Sequence, residues 1–433
     1  MEAANLNHLW ASLLIEELAR CGVRHILIAP GSRSTPLAVA AARNDAVSTL
    51  VHYDERGAAF AALGCSKTGN TAAIICSSGT AVANCFPAVA EACLSATPLI
   101  VISADRPPEL QHCGANQTMP QHGIFGAYTQ WHETLPCPDT SVTAATVLTK
   151  VDALAAASGS LGSGGAVHLN CMYREPLAPT PKPWPRKYLE NLAEWENADT
   201  PYTKKTLPFL PLSSSQVNTI IGKVHRAQQG LLLIGRLSDQ KACAAVRKLA
   251  ANIRWPVFAD IGANCRHESC NTTNIYCYEM LLRSESFQRF LSPDVVLHIG
   301  DTFVSKGLQE YLASTRAHYI HLHARNDVRD PSHSVTEHYQ VDIATACNQL
   351  CSQQNVPFPN SALLPKLQEL THTITDCINT SIKAETNLSE ITVASIIKEV
   401  CTPENNLFIG NSMPVRDMDA ITDCCRASCI GVN

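Results

Sequence analysis

Long apolar runs are missing from this 433-residue chain. The longest, Pro98–Ser103 and Leu231–Gly235, suit buried strands and fall far short of the roughly 20 residues that span a bilayer. No secretory leader is expected, because Glu2, Glu16 and Glu17 stand among the first apolar residues. Neither sign of charge dominates. Lys plus Arg is 33, Asp plus Glu is 38, and the formal net charge is -5. That balance argues against a dedicated nucleic-acid binder or membrane-surface protein. Ser32 and Ser78 both lack a G-x-S-x-G frame, which leaves a hydrolase nucleophile elbow unsupported.

Cysteine is the abundant exception, at 19 residues. Yet no C-x-x-C pair occurs. Many cysteines, such as Cys65, Cys76, Cys85 and Cys93, sit inside apolar segments, where a thiol behaves as a small hydrophobe. The nearest approach to a metal motif is Cys265, His267 and Cys270 with Cys277 beyond, and its spacing is too loose for a structural zinc site. Reduced thiols and a cytoplasmic location are the expectation.

What is present is a rhythm of short apolar runs and helical segments. Leu9, Trp10, Leu13, Leu14 and Leu18 fall on one helical face that ends at Cys21-Gly22. Strands are predicted at 25–29, 49–53, 72–76 and 99–103, with helices starting near Thr35 (as N-cap), residue 56 and Thr80. The helix after residue 56 is so poor in polar groups that burial is expected. Strands alternating with helices imply βαβ units and a parallel sheet.

Residues 174–211 carry eight prolines and read as a linker. A second βα series follows, with strands at 231–235, 257–260, 295–300 and 319–323. It lacks G-x-G-x-x-G, so nothing obliges it to hold a dinucleotide. A third piece starts near residue 390, with one helix, one strand at 407–410, and then Asn411–Arg416. One helix and one strand cannot bury a core alone, so this piece either docks on another domain or is incomplete. The fold class is therefore α/β: successive parallel-sheet Rossmann-like domains, followed by this third piece.

Ligands of open parallel sheets bind beyond the carboxyl ends of the strands. After the first four strands come Gly31-Ser32-Arg33, Asp54-Glu55-Arg56, Ser77-Ser78-Gly79-Thr80 and Asp105-Arg106, the last followed by Asn116-Gln117. Each has a plain alternative. The helix dipole favours Glu55 at a helix start whatever the function. Arg33 and Arg106 could be ordinary loop arginines, and Gly79 could merely permit close passage. Together, though, two arginines, a glutamate and small polar residues on one rim suggest a pocket for an anionic substrate.

The runs IAPGSRSTPL (28–37), YDERGAAF (53–60), SSGTAVAN (77–84), SADRPPEL (103–110), CGANQT (113–118) and IGNSMPVRD (409–417) narrow this. In content and order they resemble the 2-succinyl-5-enolpyruvyl-6-hydroxy-3-cyclohexene-1-carboxylate (SEPHCHC) synthases, thiamine-diphosphate transferases of menaquinone and phylloquinone biosynthesis. The resemblance covers the whole chain and is densest in residues 8–130. It implies the thiamine-diphosphate-enzyme fold, with a pyrimidine-binding domain at 1–175, a linker at 176–212, a central domain at 213–355 and the start of a diphosphate-binding domain at 385–433. It implies decarboxylation of 2-oxoglutarate and 1,4-addition of the resulting carbanion to isochorismate.

Roles follow from the resemblance one position at a time. Glu55 matches the glutamate that hydrogen-bonds the aminopyrimidine ring and promotes its imino tautomer; an apolar wall would raise its pKa for that task. Ser78, Gly79 and Thr80 match the segment at the pyrimidine end of the cofactor. Ser32, Arg33, Arg106 and Gln117 match substrate-pocket residues, as do Lys306, Ser412 and Arg416. Some members follow that lysine with an arginine where Gly307 stands here. The family assembles as a homodimer or homotetramer, with each site formed between two subunits. Members continue past a residue like Asn433 into Arg-Gly-Ala-Ser-Gly and a Gly-Asp-Gly-like segment that binds Mg²⁺ and the diphosphate. A truncated chain is thus expected, with its Mg²⁺ ligands beyond Asn433. The competing readings are another thiamine-diphosphate decarboxylase or carboligase, and an inactive fragment.

Overall fold

Leu9, Leu13, Leu14 and Leu18 return every three to four residues, which puts them on one stripe of helix α1 (Leu6–Arg20). Asn5 caps its start by accepting the His8 N–H, and Gly22, at φ +95°, lets the chain leave. In the computed structural model the described residues are 2–159, 163–206, 210–266, 273–352, 361–402, 404–421 and 428–431, with Asn406 and 428–431 as backbone only. They form two compact units, Met1–Pro208 and Phe209–Asn433.

In the first unit β1 (His25–Ile28), α2 (Thr35–Ala42), β2 (Ser48–Val51), α3 (Glu55–Lys67) and β3 (Ala72–Cys76) follow α1. Then come α4 (Thr80–Asn84), α5 (Phe86–Leu94), β4 (Leu99–Asp105), β5 (Thr129–Leu135), α6 (Ala145–Ser158) and β6 (Ala166–Met172). The sheet runs β2-β1-β3-β4-β6-β5, and each described pairing is parallel. β3 and β4 are buried along their whole length, as strands covered on both faces must be. The carboxyl ends of β1 to β4 therefore open at one rim.

Two expectations need correction. Thr35 does not cap α2: the helix already includes it, and its hydroxyl turns back to the Ser32 carbonyl at 2.8 Å. Nor is α3 buried all round. Ala58, Ala59, Ala62 and Leu63 face the core, whereas Phe60 is exposed. The neighbouring edge strand β2 likewise leaves Leu50 and Val51 open to solvent.

The proline-rich stretch packs on α1. Prolines remove backbone donors, so its carbonyls need donors from elsewhere. Asn7 Nδ2 donates to the carbonyls of Arg174 and Pro176, and Asn5 Nδ2 to those of Ala178 and Thr180. Farther on, Leu189, Leu192 and Trp195, the last on the short α7 (Ala193–Glu196), enter the core beside α1. Trp195 Nε1 donates to Glu17 Oε2 at 2.6 Å, Tyr202 N to Glu17 Oε1 at 2.5 Å and Thr203 N to Asp152 Oδ2 at 2.7 Å. Burial, reinforced by the adjacent Asp152 carboxylate, pushes Glu17 up to about 8.

The second unit begins with α8 (Ser214–Arg226), which Ser213 and Gln216 start as a capping box. β7 (Gly230–Ile234), α9 (Gln240–Ile253), β8 (Val257–Ala259), α10 (Tyr278–Leu282), α11 (Glu285–Phe290) and β9 (Val295–Ile299) follow. Next are α12 (Lys306–Ser314), β10 (His318–His323), β11 (Glu337–Gln340), α13 (Ile343–Ser352) and α14 (Leu363–Ala384). This parallel sheet runs β11-β10-β9-β7-β8.

The last piece comprises α15 (Glu390–Val400), β12 (Asn406–Ile409), α16 (Met413–Ile421) and β13 (Ser428–Gly431), with β12 and β13 parallel. It docks: Ala394, Ile409, Val415 and Met418 share a small core with Ile261, which follows β8. Leu388, Val400 and Phe408 stay exposed. No disulfide joins the described cysteines, and Cys265 and Cys277 are buried. His267, Cys270 and Asn433 lie outside the described residues. No described helix is long and apolar enough to cross a membrane.

The Glu17 proton links the docked strap to pH. A carboxyl raised from 4.5 to about 8 binds its proton more tightly when folded. Its stabilising contribution is complete below about 4.5 and is lost as pH rises toward about 8. Denaturant unfolding across that window should show the stability of the wild type falling with pH and a flatter slope for Glu17→Gln.

Candidate functional site

At the rim of the first unit, each loop leaves its strand tightly. Gly31 passes so close to the β3 exit that a Cβ there would meet Ser77 Cβ at 2.4 Å. Ser32, exposed, then opens a 3₁₀ turn over Ser32–Ser34. Arg33 turns inward and is buried. Its Nη1 donates to the Tyr173 carbonyl at 2.9 Å, and Nη2 lies 3.4 Å from Glu175 Oε1. Burial and the nearby Arg106 cation lower its pKa, but a guanidinium remains charged at neutral pH.

The Asp54-Glu55-Arg56 triplet divides its labour. Asp54 caps α3 through the Arg56 N–H at 2.9 Å and pairs with the Arg56 guanidinium at 2.7 Å, which pulls its pKa down to about 2. These two charges satisfy each other in solvent. Glu55, on the first turn, is half-buried and turns to α4, where Asn84 Nδ2 donates to its Oε2 at 3.1 Å. Asn84 is the last residue of the SSGTAVAN run, and its role was not read from the sequence.

Between β3 and α4 the chain makes a left-handed turn at Gly79, φ +75°, where a Cβ would fall 2.9 Å from Gln117 Cγ. Gln117, itself at φ +59°, donates Nε2 to the Ser78 carbonyl at 3.0 Å. Arg106 holds the preceding Asn116 carbonyl through Nε and Nη2 at 3.1 and 2.9 Å. The Gly79 N–H donates to Gln121 Oε1 at 2.7 Å. Thr80 is exposed on the first turn of α4. Two buried polar atoms at this rim, Ser78 Oγ and Arg33 Nε, make no hydrogen bond. Buried polar atoms seldom go unpaired, so these two fit a polar ligand.

The remaining positions lie in the second unit. Lys306 begins α12, is exposed, and pairs with Glu310 at 3.2 Å. Ser412, at φ +73°, and Arg416 are exposed at the start of α16. Gly307 faces Glu279, whose carboxylate accepts the Ser305 hydroxyl. A buried network steadies both segments. Asp260 accepts the Val304 and Gly262 N–H groups at 2.6 and 2.8 Å. Asp419 accepts the Ile261 N–H at 3.0 Å, the Tyr278 hydroxyl at 2.9 Å and the guanidinium of fully buried Arg266. Burial, with Asp419 close by, raises Asp260 to about 7. The lysine and arginine thus stand at the surface on segments anchored from beneath.

For magnesium, the described residues do not fit. Among them the group with ligand spacing is Glu17, Cys21 and Asp152. Its oxygens are taken by the backbone and indole donors of the strap, and a thiol is a poor ligand for a hard cation.

Related sequences point the same way as this rim, with its half-buried glutamate, its glycine turn and its buried Arg33. Residues 10–126 match the family model described as thiamine pyrophosphate enzyme, N-terminal TPP binding domain. Residues 186–409 match the model described as middle domain of thiamine pyrophosphate. By class, this is a thiamine-pyrophosphate enzyme chain. The SEPHCHC synthase of Rubrobacter xylanophilus is 38% identical over 96% of this chain and 72% of its own length. That of Salinibacter ruber is 34% identical over 97% of this chain and 71% of its own. Protein PHYLLO, chloroplastic, of Arabidopsis thaliana is 37% identical over 96% of this chain, which corresponds to 25% of that protein. The chain belongs to the 2-succinyl-5-enolpyruvyl-6-hydroxy-3-cyclohexene-1-carboxylate synthase family.

The anchor beneath Arg416 can be tested. Asp419→Ala leaves Arg266 charged and buried without its partner, which should cost about 3–5 kcal/mol. Urea unfolding should report that loss, and limited proteolysis should cut first within residues 388–421.

Proposed function

We propose that the protein carries out the SEPHCHC synthase reaction of menaquinone biosynthesis. In it, 2-oxoglutarate loses CO₂ and its remaining four carbons add to isochorismate. Thiamine diphosphate, when bound, supplies the electron sink for that loss. Glu55 would hold the pyrimidine ring through a proton-sharing hydrogen bond from its carboxylate, and Asn84, which donates to Oε2, orients that side chain. The Ser78-Gly79-Thr80 turn forms the wall beside that ring. Arg33 and Arg106, with Ser32 and Gln117, bind and orient substrate carboxylates. Lys306, Ser412 and Arg416 make further substrate contacts. No magnesium ligand is assigned to the described residues.

The observation that carries this reading is the division within Asp54-Glu55-Arg56. Two members neutralise each other outside, and the third presents its carboxylate to the rim among family motifs. We further propose a homodimer or homotetramer. Leu50, Val51, Tyr53 and Phe60 surround the start of α3 with exposed apolar surface, which a second copy would cover.

The test is turnover of 2-oxoglutarate with isochorismate in the presence of thiamine diphosphate and Mg²⁺. Glu55→Gln should lower kcat by about 10²–10⁴-fold, the usual contribution of a positioned acid–base group. Pyruvate accepted in preference to 2-oxoglutarate, or full activity in Glu55→Gln, would overturn the assignment.

A further inference from the structure

Behind the Gly79 turn runs a line of polar side chains, each at most 2% exposed: Asp105, Asn170, Ser103, His168 and Gln121. Their sequence separations are large, and sheet pairing brings them together: β4 pairs with β6 so that Ser103 lies beside Asn170. Asp105 Oδ1 accepts the Arg106 N–H at 2.7 Å and Gln111 Nε2 at 3.1 Å. Asp105 Oδ2 accepts Asn170 Nδ2 at 2.8 Å.

The direction of every later bond follows. A carboxylate only accepts, so Asn170 must turn its NH₂ toward Asp105 and its carbonyl away. That carbonyl accepts Gln121 Nε2 and the Ser103 hydroxyl, both at 2.8 Å. Gln121 Nε2 also donates to the Ala104 carbonyl at 3.1 Å, which leaves Oε1 to accept the Gly79 N–H. Ser103, its proton committed to Asn170, must accept from His168 Nε2 at 2.7 Å. His168 is neutral, because burial drives its pKa down to about 3. Reversing either amide would set acceptor against acceptor or donor against donor. One end of the line is an obligate acceptor beside Arg106, and the other is an obligate donor in the turn.

We infer that Gln121 is a positioning residue, which carries the hydrogen-bond polarity set by Asp105 to the Gly79 N–H and so holds the Ser78-Gly79-Thr80 turn in place. The inference rests on the proposed reading of that turn as the wall beside the cofactor pyrimidine. Through Gln121 the arginine rim and the cofactor turn share one fixed frame.

Two substitutions separate polarity from bulk. Gln121→Met keeps length and removes both kinds of bond. Gln121→Glu puts a carboxylate against the Asn170 and Ala104 oxygens, a clash that protonation relieves by restoring one donor. Hydrogen exchange of the 77–82 segment in the full chain reads the outcome, with thiamine diphosphate affinity measured alongside. At about pH 8, loss of the acceptor for the Gly79 N–H should speed exchange about tenfold in Gln121→Met, and in Gln121→Glu repulsion of the carboxylate by the Asn170 and Ala104 oxygens should draw it off the turn with an effect of the same size. In Gln121→Glu the excess over wild type should shrink toward about pH 5, and in Gln121→Met it should not. Thiamine diphosphate should bind about tenfold more weakly in both at about pH 8.

Unchanged exchange in Gln121→Met, a pH-independent excess in Gln121→Glu, or equal acceleration across β4 and β6 would each overturn the inference. If Gln121→Met does not fold, the pH dependence of Gln121→Glu decides alone. Acceleration confined to 77–82 with unchanged thiamine diphosphate affinity would uphold the relay and remove the cofactor reading of the turn.

Discussion

A polar group taken out of water must find a partner or cost about 1–3 kcal/mol, and this constraint organises the chain. It explains why a proline-rich stretch packs so firmly: Asn5 and Asn7 supply the donors that its carbonyls need. It explains why Glu17 and Asp152 sit buried together, since each has backbone N–H groups of the strap to accept. Two of the buried side-chain atoms without a hydrogen-bond partner, Ser78 Oγ and Arg33 Nε, fall at the rim where the family motifs converge; others, such as Gln229 Oε1 and Thr273 Oγ1, lie in the second unit.

In the second unit, charge does what apolar packing cannot. Among the described residues, the piece from α15 to α16 shares a small core with Ile261 and Val304, in the loops after β8 and β9. Arg266 and Asp419, both buried, add a directional tie that fixes how α16 lies on the loop after β8. A buried ion pair is weak evidence for stability, because desolvation offsets its attraction. Its worth here is geometric. Asp419 is one turn along the helix from Arg416, and Asp260, in the same cluster, grips Val304 two residues before Lys306. Two surface cations thus inherit their placement from one buried network.

Much of this was legible in the sequence where a local signal existed. β3 announced itself as an apolar run, and Gly79-Thr80 marked the helix that follows. The rim residues were legible because parallel strands must end on one side. What escaped was set by long-range pairing. β5 alternates half-buried and exposed residues at the sheet edge, and β11 is four residues of mostly polar character, so neither stands out from a loop. Gln121 and Asn170 are unremarkable as letters. Their roles exist only because β4 pairs with β6 and the 116–121 loop folds back over the turn. Thr35 was misread for a related reason: a hydroxyl can cap forward or bond backward, and the 3₁₀ turn at Ser32 decided it.

The division of Asp54-Glu55-Arg56 leads to a last physical point. A carboxylate shares a proton well with a ring nitrogen where water is excluded. Ala58, Ala59 and Ala62 of α3 are fully buried, but Tyr53, two residues before Glu55, is 92% exposed and Val51 66%. Exposed aromatic and β-branched residues are unfavourable in isolation, since they order water against apolar surface. They become favourable once another surface covers them, and that covering also dries the carboxylate. On the proposed function, association and activation of Glu55 are therefore a single event. On that proposal, burial of Leu50, Val51, Tyr53 and Phe60 would drive the contact, and the exclusion of water it brings would complete the site.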